Sequence, residues 1–314
     1  MKQLARRPWF GPLLALCILY GLFCAAAPET FPGSANLTTM ARQTVVVAIG
    51  SVGMTFVIVL GGIDLSIGSA VALTTVVVAR ALRAEQAPTV AVLGGLLVPA
   101  ASGLTNGALV AALRIPPFIV TLGTMSLLRG IAKGLAAEQK VDANPQGLDA
   151  WMTPPSTALF PPGVWVAAAV TLMAAIVLRY TVFGRHVVAI GSNEHTARLC
   201  GVPVTRVRLW VYTLAGVLAG LAGVLEYSTL TVGDPTDSLG LELEVIAAVV
   251  IGGASLAGGQ GSVVGALVGA LLMTVIKAGC THLGFSNWVQ EIVTGAIIVI
   301  AVAFDRLRRP QPSE

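Results

Sequence analysis

Few side chains in this sequence are placed to do chemistry, and Asp64 has the least ordinary setting. It sits in Gly61-Gly62-Ile63-Asp64-Leu65-Ser66-Ile67-Gly68-Ser69, between apolar runs at 44–61 and 70–82. An acid held between membrane-depth segments is costly and is a functional candidate by default. The competing use is structural: Asp64 or Ser66 would cap the helix that follows by accepting its free N–H groups. Glu226 and Glu291 are two more acids inside apolar runs. With Asp64 they would be the groups of a proton relay in an ion-coupled carrier, although they are scattered along the chain. His186, His195 and His282 form no HExxH or other ligand pattern, so metal catalysis has no support. Cys17, Cys24, Cys200 and Cys280 form no CxxC pair and read as small apolar residues. No nucleophile with a base stands out, which leaves a membrane-embedded enzyme without its machinery. No GxxxxGK[ST] loop is present either, so any energy from ATP must come through a partner chain.

The elements that position these residues are apolar throughout. The 314 residues are 55% hydrophobic and 11% charged, with a mean hydropathy of +0.85. A soluble domain carries about 25% charged residues. The composition therefore predicts an all-α, polytopic membrane protein, a single transmembrane domain over residues 1–314 with lipid around it. Ten apolar runs are legible, at 9–27, 44–61, 70–82, 88–113, 118–137, 163–180, 210–230, 242–254, 261–280 and 288–304. The count predicts about ten transmembrane helices, with eight or nine as alternatives. The first run, preceded by Lys2, Arg6 and Arg7 and ending in Ala25-Ala26-Ala27, resembles a signal peptide. With so many spans behind it, it reads as an uncleaved first helix. Residues 28–43 read as a polar connection and 138–162 as an outer loop, with Trp151 and Trp165 as interfacial anchors. Arg129 and Lys133, four apart, are expected to snorkel toward the interface, the alternative being that they face a polar pathway.

Two glycine-rich interruptions organise the runs. Leu60-Gly61-Gly62-Ile63-Asp64-Leu65-Ser66 echoes Ile251-Gly252-Gly253-Ala254-Ser255-Leu256-Ala257. Corresponding broken helices in two related halves are how carriers build a site or gate, because irregular backbone at membrane depth must be buried in protein or line a cavity. Gly216 and Gly220 have the spacing of close helix approach, as do Gly261, Gly265 and Gly269. Residues 181–208 interrupt the apolar pattern with Arg185, His186, Glu194, His195, Arg198, Arg206 and Arg208. With both termini inside, the inner segments collect Lys2, Arg6, Arg7, Arg114, Arg179, Arg185, Arg198, Arg206, Arg208, Arg306, Arg308 and Arg309, which is 12 of the 19 basic residues. That satisfies the positive-inside rule, with Arg80 and Arg83 on the wrong side. The net charge of +4 is explained by this distribution and does not point to nucleic acid.

Three stretches carry a family resemblance. They are Gly61-Gly62-Ile63-Asp64-Leu65-Ser66-Ile67-Gly68, Ile115-Pro116-Pro117-Phe118-Ile119-Val120-Thr121-Leu122-Gly123, and Ala247 through Gly259. They resemble, in order, the signature stretches of the ribose/arabinose/galactose-type permeases of bacterial sugar ABC importers. The segment from Phe183-Gly184-Arg185 through Gly191-Ser192-Asn193-Glu194, Ala197-Arg198 and Gly201-Val202 is similar to that family's cytoplasmic loop. The resemblance covers about residues 37–305 and implies a bacterial inner-membrane permease, not an enzyme. It implies a second permease subunit, identical or related, a cytoplasmic ABC ATPase that holds ATP-Mg, and a periplasmic sugar-binding protein. No cofactor is expected in this chain. It also implies that 181–208 is the ATPase-coupling loop, with Arg185, Gly191, Asn193, Glu194, Ala197, Arg198 and Gly201 as its residues. A sugar path needs hydrogen-bonding groups in an apolar wall, and Asp64, Ser66, Asn106, Thr121, Ser255 and Gln260 are the candidates.

Overall fold

The computed structural model describes residues 10–307, with side chains as far as residue 303. Lys2, Arg6, Arg7, Arg306, Arg308 and Arg309, used above for sidedness, lie outside the described side chains. The apolar runs all become helices: α1 (Phe10–Ala26), α2 (Ser34–Val59), α3 (Ile67–Arg83), α4 (Pro88–Ala112), α5 (Pro117–Ala136) and α6 (Pro162–Tyr180). They are followed by α7 (Val182–Ser192), α8 (Glu194–Leu199), α9 (Val204–Leu230), α10 (Leu241–Ile251), α11 (Val263–His282) and α12 (Asn287–Leu307). Six of these, α2, α4, α5, α6, α9 and α11, are long and apolar enough to cross a membrane.

Two expectations change. The polar connection before α2 shrinks to 27–33, because Ser34–Gln43 are helical. Their polar side chains are accommodated by bonding within the helix or to its neighbours: Thr39 Oγ1 donates to the Ala35 carbonyl at 2.9 Å and Asn36 Nδ2 to the Phe31 carbonyl at 2.7 Å. Residues 181–208 are two short helices and the start of α9. Thr181 Oγ1 caps α7 by accepting from Gly184 N at 3.2 Å, and Asn193 Oδ1 caps α8 by accepting from Thr196 N at 2.9 Å. The Arg129 guanidinium donates to the Pro235 and Asp237 carbonyls at 2.9 and 2.7 Å.

At the centre stands α2, where every residue from Thr44 to Val59 is buried. A helix apolar all round belongs inside a bundle. α9 packs along α2, α3 and α4, and α11 packs along α2 and α10. The glycine spacings serve this. A Cβ on Gly220 would meet the Gly95 carbonyl oxygen of α4 at 2.7 Å, and the Cα of Gly216 faces the Pro99 carbonyl one turn away. In lipid such backbone approach gives the van der Waals contact that burial alone does not supply. One end of the bundle carries α7 and α8. The other carries an antiparallel pair, β1 (Val141–Asp142) and β2 (Val232–Gly233), with Val141 opposite Gly233. Lys140 pairs with Asp234 there at 3.2 Å. Arg80, whose guanidinium donates to the Leu135 carbonyl, lies at this hairpin end, away from the basic loop.

Candidate functional site

α2 and α10 stop in the same way. Gly61 N donates to the Ile58 carbonyl and Gly62 N to Val57, while Gly253 N donates to Val250 and Ala254 N to Val249. Each is a Schellman ending with its left-handed residue a glycine, Gly61 at φ 90° and Gly253 at φ 92°. The equivalence is therefore Gly61 with Gly253, one residue out of step with the sequence echo, which paired Gly61 with Gly252. The echo aligned glycine pairs, whereas the geometry aligns the residue that turns left-handed.

After the first break, four of the expected path residues meet. Asp64 Oδ1 accepts from Ser66 N at 2.8 Å and Ser66 Oγ at 2.6 Å. Asn106 Nδ2 donates to Ser66 Oγ at 3.3 Å, and Thr124 Oγ1 donates to Asn106 Oδ1 at 2.6 Å. Thr121 Oγ1 lies 3.1 Å from the Ile63 carbonyl, inside the break, and 2.9 Å from Pro117 in its own helix. The donors run in one direction, Thr124 to Asn106 to Ser66 to Asp64, tying α5 and α4 to the break. Neither side chain caps α3 as expected: Ser66 occupies the N-cap position but makes no cap bond. Its hydroxyl turns to Asp64 instead, so the acid pairs structurally with the break.

Thr124 went unnoticed in the sequence, although it lies three residues beyond Thr121 on one helix face. Because Asn106 holds a partner on each side, Asn106→Leu cuts the link between Ser66 and Thr124, although Thr124 Oγ1 keeps the Val120 carbonyl at 3.0 Å and Ser66 keeps Asp64. The expected loss is about 1–3 kcal/mol, read as a lowered thermal midpoint in detergent.

Ser255 and Gln260 do not join this cluster. Ser255 N donates to the Gln260 carbonyl at 3.0 Å, closing the second break on itself, and the Gln260 side chain is exposed. The Ser255 hydroxyl is buried without a partner among the described residues. Ser262 begins α11, its Oγ accepting from Gly265 N at 3.1 Å. The two breaks are joined directly: Gly259 N donates to the Val59 carbonyl at 2.8 Å.

The end of α7 sits on this junction. A Cβ on Gly191 would land on the Val59 carbonyl oxygen and 2.6 Å from Gly259 N. One on Gly258 would meet the Gly191 carbonyl oxygen at 2.7 Å and Gly61 Cα at 3.0 Å. Three backbone segments thus converge where glycine alone fits. Beyond Gly191, Asn193 caps α8 and Ala197 is buried beneath it, while Arg185, Arg198 and Gly201 are exposed. Glu194 holds α8 to α9: it accepts from Arg198 at 2.8 Å and from both terminal nitrogens of Arg208. Partial burial pushes the Glu194 carboxyl up, but the Arg208 and Arg198 hydrogen bonds outweigh it and hold it below the usual carboxylate range.

A third feature lies toward the hairpin end. Between α2, α9, α10 and α11 is a cavity of about 740 Å³, lined by Arg42, Glu226, Glu244 and Lys277 among others. The sequence reading missed it, although Asn36, Thr39 and Gln43 recur at helical spacing and mark a polar stripe on α2. Glu226 lies in this cavity, Asp64 in the break cluster and Glu291 on the exposed side of α12. No hydrogen bond or ion pair links the three among the described residues, so the proton relay has no assembled path.

The profile of the family described as branched-chain amino acid transport system/permease component matches residues 36–302. The ribose import permease protein RbsC of Escherichia coli is 40% identical over 300 residues, covering 95% of this chain and 93% of that protein. RbsC of Bacillus subtilis is 38% identical, covering 94% and 92%. The L-arabinose ABC transporter permease protein AraH of Azospirillum brasilense is 34% identical, covering 96% and 88%. No solved structure matches the chain. A bundle of apolar helices with paired breaks and a basic loop, matched over nearly its whole length, belongs to this ABC permease family: a multi-pass protein of the inner membrane and a transport subunit rather than an enzyme.

Proposed function

We propose that this chain is the permease of a binding-protein-dependent ABC importer that carries a monosaccharide, a ribose-type pentose or a hexose, by alternating access. The observation that carries the mechanism is the junction at Gly191, where α7 touches both helix breaks at once. A push on residues 181–208 by an ATPase then reaches α2 and α10 together, without a long relay of side chains. The names of the ribose and arabinose relatives support the solute class. The chain runs through the membrane ten times with both termini cytoplasmic. α10, with 11 residues, spans only about 16 Å at 1.5 Å per residue, and the glycine-rich segment to Ser262 completes its crossing. The buried cluster of Asp64, Ser66, Asn106 and Thr121 belongs to the closed gate of the solute path, and Ser255 and Gln260 to its counterpart in the second break.

The partners are a second permease, identical or related, an ATPase holding ATP-Mg, and a periplasmic sugar-binding protein. The test is uptake of D-ribose, L-arabinose and D-galactose into proteoliposomes holding this chain and its ATPase. Uptake that needs both enclosed ATP and external binding protein is the expected result. Uptake driven by an ion gradient and indifferent to ATP overturns the reading.

A further inference from the structure

The cavity toward the hairpin end has no role in the junction at Gly191, and its chemistry is unusually mixed for so apolar a chain. Its volume of about 740 Å³ lies in the range of roughly 300–1,000 Å³ typical of ligand pockets. Its charged groups are of both signs, Arg42 and Lys277 against Glu226, Asp237 and Glu244. Lys277 is tied to Glu244 and Asp237 Oδ2 accepts from Ser238 Oγ at 2.7 Å, which leaves Arg42 on α2 and Glu226 on α9 as the charges of the two facing walls without such a partner among the described residues. No ion pair joins Arg42 to Glu226 among the described residues, and Arg42 Nε is buried with no hydrogen-bond partner. A buried donor without a partner is rare in native structures and is satisfied when a ligand brings an acceptor.

Neutral hydrogen-bonding groups come from every side: Asn36 and Gln43 from α2, Thr229 from α9, Thr274 from α11, and Asn287 and Gln290 from α12. Between them lie apolar patches at Val46, Val47 and Leu241. No residue of α2 beyond Val47 lines the cavity, so it does not reach the break at Gly61.

We infer that this cavity is a binding site for a neutral polyhydroxylated ring, the stop at which a monosaccharide rests before the gate beneath it opens. Arg42 and Glu226 supply the donor and acceptor for its hydroxyls. The inference rests on the permease reading above and adds a location to it. A sugar ring offers donors and acceptors around its whole edge and C–H groups on its faces, which matches polar groups on all walls with apolar patches between. An anion would need a basic wall, whereas Glu226, Asp237 and Glu244 outnumber Arg42 and Lys277 in this lining.

The experiment uses the full permease–ATPase complex in proteoliposomes. The native thiols are replaced (Cys17→Ser, Cys24→Ala, Cys200→Ser, Cys280→Ala) and Gln43→Cys places one thiol in the cavity. A membrane-impermeant maleimide is added outside, with D-ribose, L-arabinose, D-galactose or L-leucine. The expected result is that at least one sugar slows labelling tenfold or more, that leucine does not, and that Glu226→Gln raises the half-protecting sugar concentration at least tenfold. An unchanged thermal midpoint in Glu226→Gln separates a lost contact from a lost fold, and Thr229→Cys serves as the reporter on the facing wall should Gln43→Cys lower that midpoint. No labelling from outside, equal labelling with every sugar, or protection by leucine alone each overturns the inference. ATP-dependent uptake by the unsubstituted complex is measured in parallel. Normal uptake with an unprotected thiol sinks the site and leaves the permease reading standing, whereas absent uptake sinks that reading itself.

Discussion

Gly191→Ala is expected to cut ATP-driven uptake by one to two orders of magnitude while leaving the complex assembled. The added methyl carbon would occupy the place of the Val59 carbonyl oxygen and crowd Gly259 N. Both obstacles are backbone, so neither can rotate aside as a flexible side chain would. Either α7 lifts away from the junction or the hydrogen bond from Gly259 to Val59 breaks. Overpacking of this kind costs roughly 1–3 kcal/mol, which in a coupling equilibrium corresponds to about 5–150-fold. Because α7 has an exposed side, displacement of the helix is the cheaper response, and it separates the loop from both breaks at once. The predicted signature is lost uptake with ATP hydrolysis continuing and with a thermal midpoint lowered by only a few degrees. His195→Ala, on the exposed face of α8, controls for general damage to the loop. Native uptake in Gly191→Ala would mean that the three-way junction transmits nothing.

That junction was half legible in the sequence. The two glycine-rich breaks announced themselves because glycine pairs between long apolar runs have few other meanings in a membrane chain. Asp64, Ser66, Asn106 and Thr121 were each recognisable as a polar residue in apolar surroundings, and the structure brings them together. What no local pattern contains is the meeting of Gly191 with Val59 and Gly259, three segments separated by more than 60 residues. The resemblance placed Gly191 in the coupling loop, but nothing in the local sequence says which backbone it touches. The cavity was obscured for a different reason. Arg42 and Gln43 made residues 28–43 look like a connection, since hydropathy averages over a window and cannot tell a polar loop from a helix with one polar face. Their spacing, rather than their hydropathy, held the information. The one-residue shift between the breaks has a similar origin, for composition aligned Gly61 with Gly252 while backbone handedness selects Gly253.

Glu194→Ala is the second large effect, and its size depends on which arginine is left behind. The carboxylate is shared by Arg198, on its own short helix, and Arg208, on α9. Arg198 has 51% of its side chain exposed and is stable in water alone, whereas Arg208 is 18% exposed. Exposed pairs four residues apart are worth a few tenths of a kcal/mol. A half-buried guanidinium deprived of its carboxylate leaves a charge poorly solvated, and the contact that fixes α8 against α9 goes with it. Glu194→Ala should therefore lower coupled uptake at least tenfold while basal ATP hydrolysis persists. In double-mutant cycles with Glu194→Gln, Arg208→Gln should show strong coupling and Arg198→Gln little. Because hydrogen bonding holds the folded carboxyl below its usual range, the link is complete above the ordinary carboxylate pKa of about 4.3. It is lost only as the pH falls through the still lower folded value. Coupling should thus be flat between about pH 6 and 8, well above that ordinary carboxylate value. A steep dependence in that window would assign the pH response to another group, and equal coupling to both arginines would remove α9 from the path of the ATPase's push.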